Sequence, residues 1–272
     1  MTARAILHAV YGAKDRRNTK RAKAAVYVPR PPVAAEMSYV AKLRHAWDET
    51  SREIASIVED EMRPLTDGPE RTDADPVRTV VERIREALLA KFSVETFMSM
   101  AALIHAQVNA FNLREVAASL VVSPQMLPGM REMSAMWTEQ NARIIVGMTD
   151  EIVADLAANL RDEWAAGARW ESIAETVQAR LGVGRSRAEL IARDQVLKLN
   201  SDLTQERQRA VGVTRYRWSS SRDERVRRSH RALENTIHKW TEPPIVDPRT
   251  GARAHPGVHF QCRCVAIPVF DD

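Results

Sequence analysis

At Gly212 the chain changes its periodicity, and that change limits the folds open to it. From about residue 36 to 210, apolar side chains recur at helical intervals, as at Val40, Leu43, Trp47, Ile54, Ile57 and Val58. Beyond Gly212, residues 213–218 alternate apolar with basic side chains (Val-Thr-Arg-Tyr-Arg-Trp), the mark of a strand with one buried face. A run of helices followed by strands and helix in one short module predicts the α+β class.

Local signals divide the helical stretch. A first helix over 36–62 should stop at Pro64, with a turn-rich loop to Pro76. Helices follow over 77–91 and over 93–118, the second capped by Ser93. After the Pro-Gly linker near Pro124 and Pro128, helices are expected over 131–148 and, capped by Thr149-Asp150, on to Trp164. Two more are expected over 170–181, closed by Gly182, and over 186–210, capped by Ser186. Gly182-Val183-Gly184 lacks the lysine and preceding strand of a phosphate loop, so a helix cap is its reading. Downstream, the pattern predicts a helix over 223–234, strands over 236–240 and 262–269, and a loop over 241–257.

Residues 1–35 show no helical period and end in Pro29-Arg30-Pro31-Pro32, which reads as an extended arm. They hold eight Lys/Arg against Asp15, and residues 207–231 hold nine Arg against Asp223 and Glu224. With the whole chain at only +4, the remainder must be acidic. Basic segments flanking an acidic middle suit contact with a polyanion such as nucleic acid, read through its backbone. Candidate DNA contacts are Arg16, Arg17, Lys20, Arg21 and Lys23 in the arm, with Arg215, Arg217, Arg225, Arg227 and Arg228 in the module. Some of these arginines should instead pair with the chain's own carboxylates. No apolar run approaches the roughly 20 residues of a membrane span, and the first residues lack a secretory layout. Two cysteines one residue apart build no disulfide framework, which predicts synthesis in a reducing cytoplasm.

Four of the seven histidines (His230, His238, His255, His259) and both cysteines fall between 230 and 264. Thiolate, imidazole and carboxylate are the donors zinc takes. Cys262 and Cys264 would face one side of a strand, while Asp223 and His230, seven apart, would share a helix face. Asp223, His230, His255, Cys262 and Cys264 are therefore the candidate ligands of a structural zinc ion. No general base stands in a recognised arrangement, so a structural role is favoured over a catalytic one.

One order of residues is specific: Ile191-Ala192-Arg193-Asp194, Asn200, Gly212-Val213, Tyr216-Arg217-Trp218, Asp223-Glu224-Arg225-Val226-Arg227, His230, Leu233, Pro243-Pro244, His255-Pro256-Gly257 and Cys262-Arg263-Cys264. Over about 180–270 it resembles the C-terminal domain of the phage Mu protein F-like minor head proteins, the SPP1-type head morphogenesis family. The resemblance implies a virion protein inside the head near the portal, made in the host bacterial cytoplasm, acting in capsid assembly and DNA packaging or delivery. It implies portal and head proteins as partners, non-specific DNA binding and no membrane. The family's recurring Asp, His and Cys-x-Cys positions fall on Asp223, His230, Cys262 and Cys264, with His255 a frequent companion. Where the family commonly has Gly, this chain has Thr236, so the turn after that helix must be made differently. The resemblance leaves Asp194 without a role and has no counterpart for His238 or His259.

The expected organisation is a basic arm (1–35), a helical body for portal or assembly contacts (36–180) and a Mu F-like α+β module (181–272). The amphipathic body, with Met126, Met130, Met133 and Met136, could dock on partner helices. The competing function is a metal-dependent, nuclease-like hydrolase using the Asp/His/Cys cluster.

Overall fold

The structure is a computed structural model describing residues 27–67 and 76–270. The candidate DNA contacts Arg16, Arg17, Lys20, Arg21 and Lys23 lie outside the described residues. Among the described residues, five long helices precede the strands: α1 (Val33–Asp67), α2 (Pro76–Lys91), α3 (Val94–Leu120), α4 (Arg131–Ala165) and α5 (Trp170–Ala210). The remainder is β1 (Arg215–Ser219), α6 (Arg228–Ala232), β2 (Ile237–Lys239), β3 (Ile245–Asp247), β4 (Ala252–Arg253) and β5 (Val265–Val269). A mainly helical body followed by a small strand-bearing module is the α+β arrangement the periodicity predicts. The described residues form two compact units, one of residues 37–67, 76–103 and 135–193, the other of 27–36, 104–134 and 194–270.

The first unit is helical. On α1, Tyr39, Leu43, Trp47, Ile54, Val58 and Met62 are buried at helical spacing. Trp47 packs edge-on against Phe92, with ring centroids 5.0 Å apart, and donates its indole N–H to the Leu181 carbonyl at 2.8 Å. The Tyr39 hydroxyl donates to Asn141 Oδ1. The α1 helix runs through Pro64 to Asp67, where a proline near the C-terminal end removes only one hydrogen bond.

Two expected helix breaks are absent, for the same physical reason. Thr149 does not cap a new helix; it is buried and its hydroxyl donates back to the Val146 carbonyl at 2.6 Å, so α4 continues unbroken. Ser186 likewise donates to the Gly182 carbonyl at 3.1 Å, and α5 passes through both glycines. Gly184 is there because of Trp47: a Cβ at that position would collide with the indole and come within 2.7 Å of Ile152 Cδ1. Ser93, in contrast, does cap α3, accepting from the Thr96 N–H at 3.2 Å.

Contrary to the reading of the sequence, the stretch 77–120 contains a window long and apolar enough to cross a membrane, with a third of it buried. Alanines and methionines raise its apolarity without any run of large side chains. Phe97, Ala101, Ile104 and Val108 are buried along it at helical spacing, so one face of the helix is covered.

In the second unit an antiparallel sheet of order β2-β1-β5 sets Tyr216 opposite His238 and Pro268, and Trp218 opposite Ala266. Tyr216 and Trp218 are fully buried while Arg215 and Arg217 are half-buried, as the alternation demands. Pro268 is tolerated because β5 pairs on one side only. The stretch expected to be a plain loop holds the β3–β4 hairpin. The helix expected over 223–234 shrinks to α6, and the turn after it is made by Asn235 at φ +64° rather than by glycine.

Helix α5 is joined to this sheet by buried polar groups. Gln208 donates to the Ala266 carbonyl at 3.2 Å and accepts from the Trp240 indole N–H at 3.2 Å. Arg207 is completely buried, and its guanidinium bonds to the side chains of Asn109 and Asn112 and to the carbonyls of Asn109 (3.3 Å) and Pro128 (3.4 Å). Burial lowers its pKa to about 10, so it stays charged at neutral pH, spread over amide oxygens. One arginine of the basic 207–231 stretch is thus a core residue, and Arg222 pairs with Glu234 at 2.9 Å.

Candidate metal centre

Three of the candidate ligands converge. His230 on α6, and Cys262 and Cys264 just ahead of β5, are buried in the apolar cluster of Tyr216, Trp218, Trp240 and Val246. His230 Nδ1 lies 3.4 Å from Cys262 Sγ and 3.8 Å from Cys264 Sγ, and the three donor atoms lie within 4.8 Å of one another. Zinc at its usual bond lengths and tetrahedral angle sets sulfur and nitrogen about 3.6 Å apart. The spacing therefore fits one ion with little movement. The cysteines are not on a strand, as expected, but in the extended segment preceding it; one face is still shared because 262 and 264 alternate in the same sense.

The thiols behave as a pair. The hydrogen bond from Cys264 holds the Cys262 thiol below its ordinary pKa, with His230 helping, while the same bond and burial raise Cys264. A metal ion would replace this pairing by binding both sulfurs as thiolates. The Gly257 backbone N–H donates to Cys262 Sγ at 3.4 Å, which further favours the anion.

The loop carrying the cysteines is set by α5. Ser201 donates to the Pro256 carbonyl at 2.6 Å, and the Gln261 N–H donates to Asp194 Oδ1 at 2.8 Å. Asp194 is nearly fully buried and pairs with Lys198 at 2.6 Å. Gly257, at φ +89°, sits where a Cβ would be 3.0 Å from Ser201 Cβ, so both conformation and space call for glycine. Asp194 and Ser201 are the positioning residues that the sequence reading missed. The signal for Asp194 is a carboxylate on the buried side of a helix.

Two expected ligands stand elsewhere. Asp223 pairs with Arg263 at 2.6 Å and accepts from the Arg225 N–H at 3.0 Å. Its seven-residue spacing to His230 has no force because α6 begins only at Arg228. It fixes the arginine between the two cysteines. The His255 ring packs edge-on against Trp240, 4.9 Å between centroids, and its Nδ1 lies 2.9 Å from the Tyr216 hydroxyl. Burial lowers its pKa, opposed by a hydrogen bond to the Trp240 backbone. His238 has its Nε2 2.6 Å from the Thr236 hydroxyl. His259, set aside by the sequence reading, has its ring centroid 5.3 Å from that of His230.

Of the candidate DNA contacts described, Arg225, Arg227 and Arg228 are exposed, and their side chains enter no ion pair among the described residues. Arg215 and Arg217 are half-buried on β1, and Arg217 Nε is enclosed with no hydrogen-bond partner.

Residues 154–267 match the family model described as Phage Mu protein F like protein, a region reaching upstream of the expected 180. A Haemophilus influenzae (strain KW20 / Rd) protein, named only as an uncharacterized protein, is 32% identical over 168 residues. That similarity takes in 62% of this chain but 36% of the relative, so the chain spans about a third of the relative's length. No solved structure matches.

Proposed function

We propose that this chain, Phage Mu protein F like over residues 154–267, is a head morphogenesis protein of a tailed phage or prophage. It acts without turning over a substrate. Its partners in this reading are portal and head proteins, met by the helical body, and it resides inside the head near the portal. The C-terminal module is a rigid piece stapled by zinc through His230, Cys262 and Cys264. That family match carries the proposal.

The site supports the non-enzymatic side of it. All three donors are buried, and the cavity beside the cysteines holds about 10 Å³, room for a water and no substrate. A hydrolase built on this cluster needed Asp223 at the metal, and Asp223 is engaged with Arg263. Purified particles of the phage or prophage encoding the chain should contain it at low copy, protected from protease until the heads are opened. Recovery from host lysate alone, with none in particles, overturns the assignment.

DNA contact by the exposed Arg225, Arg227 and Arg228 is part of the same proposal, since guanidinium groups without internal partners suit phosphate. Fluorescence anisotropy of a labelled duplex should show affinity that ignores sequence and falls with salt. Changing the three arginines to glutamine should reduce the slope of log affinity against log salt by about 2 to 3, at close to one counterion per phosphate contact. A slope unchanged by the triple substitution removes these residues from the interface.

A further inference from the structure

We propose that His259 is the fourth ligand, so that Cys262, Cys264, His230 and His259 form a closed Cys2His2 zinc site. The inference rests on the metal reading above and goes beyond its three converging residues. Its first support is an unmet need. His259 Nδ1 is buried and has no hydrogen-bond partner, and the same is true of His230 Nε2 in the adjoining ring. His230 turns its Nδ1 to the thiols, so the unmet atom an ion here can serve is His259 Nδ1, an enclosed imidazole nitrogen beside two buried sulfurs.

The second support is spacing. Two imidazoles on one tetrahedral zinc have ring centroids about 5.2 Å apart, from ordinary bond lengths and angle. Those of His230 and His259 are 5.3 Å apart. His259 does not belong to the set of donors within 4.8 Å of one another, so its ring must close on the ion by side-chain rotation. The turn allows this. The Cys262 N–H donates to the His259 carbonyl at 2.9 Å, which fixes the backbone of the turn while leaving the side chain half-exposed.

The test uses the full chain loaded with cobalt(II) or zinc. Wild type should take up one ion and give the intense visible bands of four-coordinate cobalt, with charge transfer from two thiolates. His259→Ala should weaken zinc binding by more than about 100-fold, beyond what loss of an outer-shell partner does. His259→Cys should raise the thiolate charge-transfer intensity by about half, as two sulfurs become three. His238→Ala is the control and should change neither. If wild type binds no metal, the zinc reading and this inference fall together. If wild type binds with two thiolates and both His259 variants match it, the inference alone fails, and a three-residue site open to water takes its place.

Discussion

Changing both Cys262 and Cys264 to serine should leave the full chain without bound zinc and lower its stability by about 4 kcal/mol, the linkage expected for an ion held at a thousand times its dissociation constant. On a chain of this size that is a fall in Tm of roughly 10 °C. The loss has two parts. The ion no longer ties α6 to the segment before β5, and the Nδ1 of His230, only 2% exposed, loses the two sulfurs it faces. A strong chelator acting on the wild type should reproduce the first part, and acidification should release the ion as protons compete for the ligands. Hydrogen exchange should quicken in β1 and β5, which border the site. Identical melting of wild type with and without chelator, together with a metal-free protein as isolated, would refute the staple.

A second large effect should appear in the helical unit, where two glycines two residues apart should respond in opposite directions. Gly182 is exposed with nothing within 4 Å of a new Cβ, so Gly182→Ala should stabilise by about 0.5–1 kcal/mol through helix propensity. Gly184 is buried, and its Cβ would overlap Trp47 and approach Ile152 Cδ1 to 2.7 Å. Gly184→Ala should therefore destabilise by about 1–3 kcal/mol, propensity notwithstanding, as Trp47 shifts and weakens its 2.8 Å bond to Leu181. Urea midpoints followed by tryptophan fluorescence measure both. A midpoint raised by Gly184→Ala as much as by Gly182→Ala would show that the indole has room to move.

The elements most readable from sequence were those whose signal is their own periodicity. The helical phase of Tyr39 to Met62 and the alternation through Tyr216 and Trp218 each report a buried face, because a side chain's direction repeats with its backbone. Helix ends were less readable. Thr149 and Ser186 are good caps in isolation, yet each hydroxyl found a carbonyl of its own helix once packing kept the chain helical. Asn235 shows the opposite case: with Thr236 where the family commonly has Gly, the turn is made one residue earlier, by an asparagine that tolerates a left-handed backbone.

For the site, sequence alone supplied the donor chemistry: the Cys-x-Cys pair, His230, and the order of motifs matched by the Phage Mu protein F like model. Which donors meet was decided by tertiary structure. Asp223 went to Arg263 and His255 to Tyr216 because α6 is short and the β3–β4 hairpin returns the chain beside Trp240. Asp194, Ser201 and Gly257 gained their roles only when α5 came against the cysteine loop. Donor type is a property of one residue and survives in a linear string. Convergence depends on contacts between residues far apart in the chain, as with Asp194 and Gln261, and no local pattern encodes them.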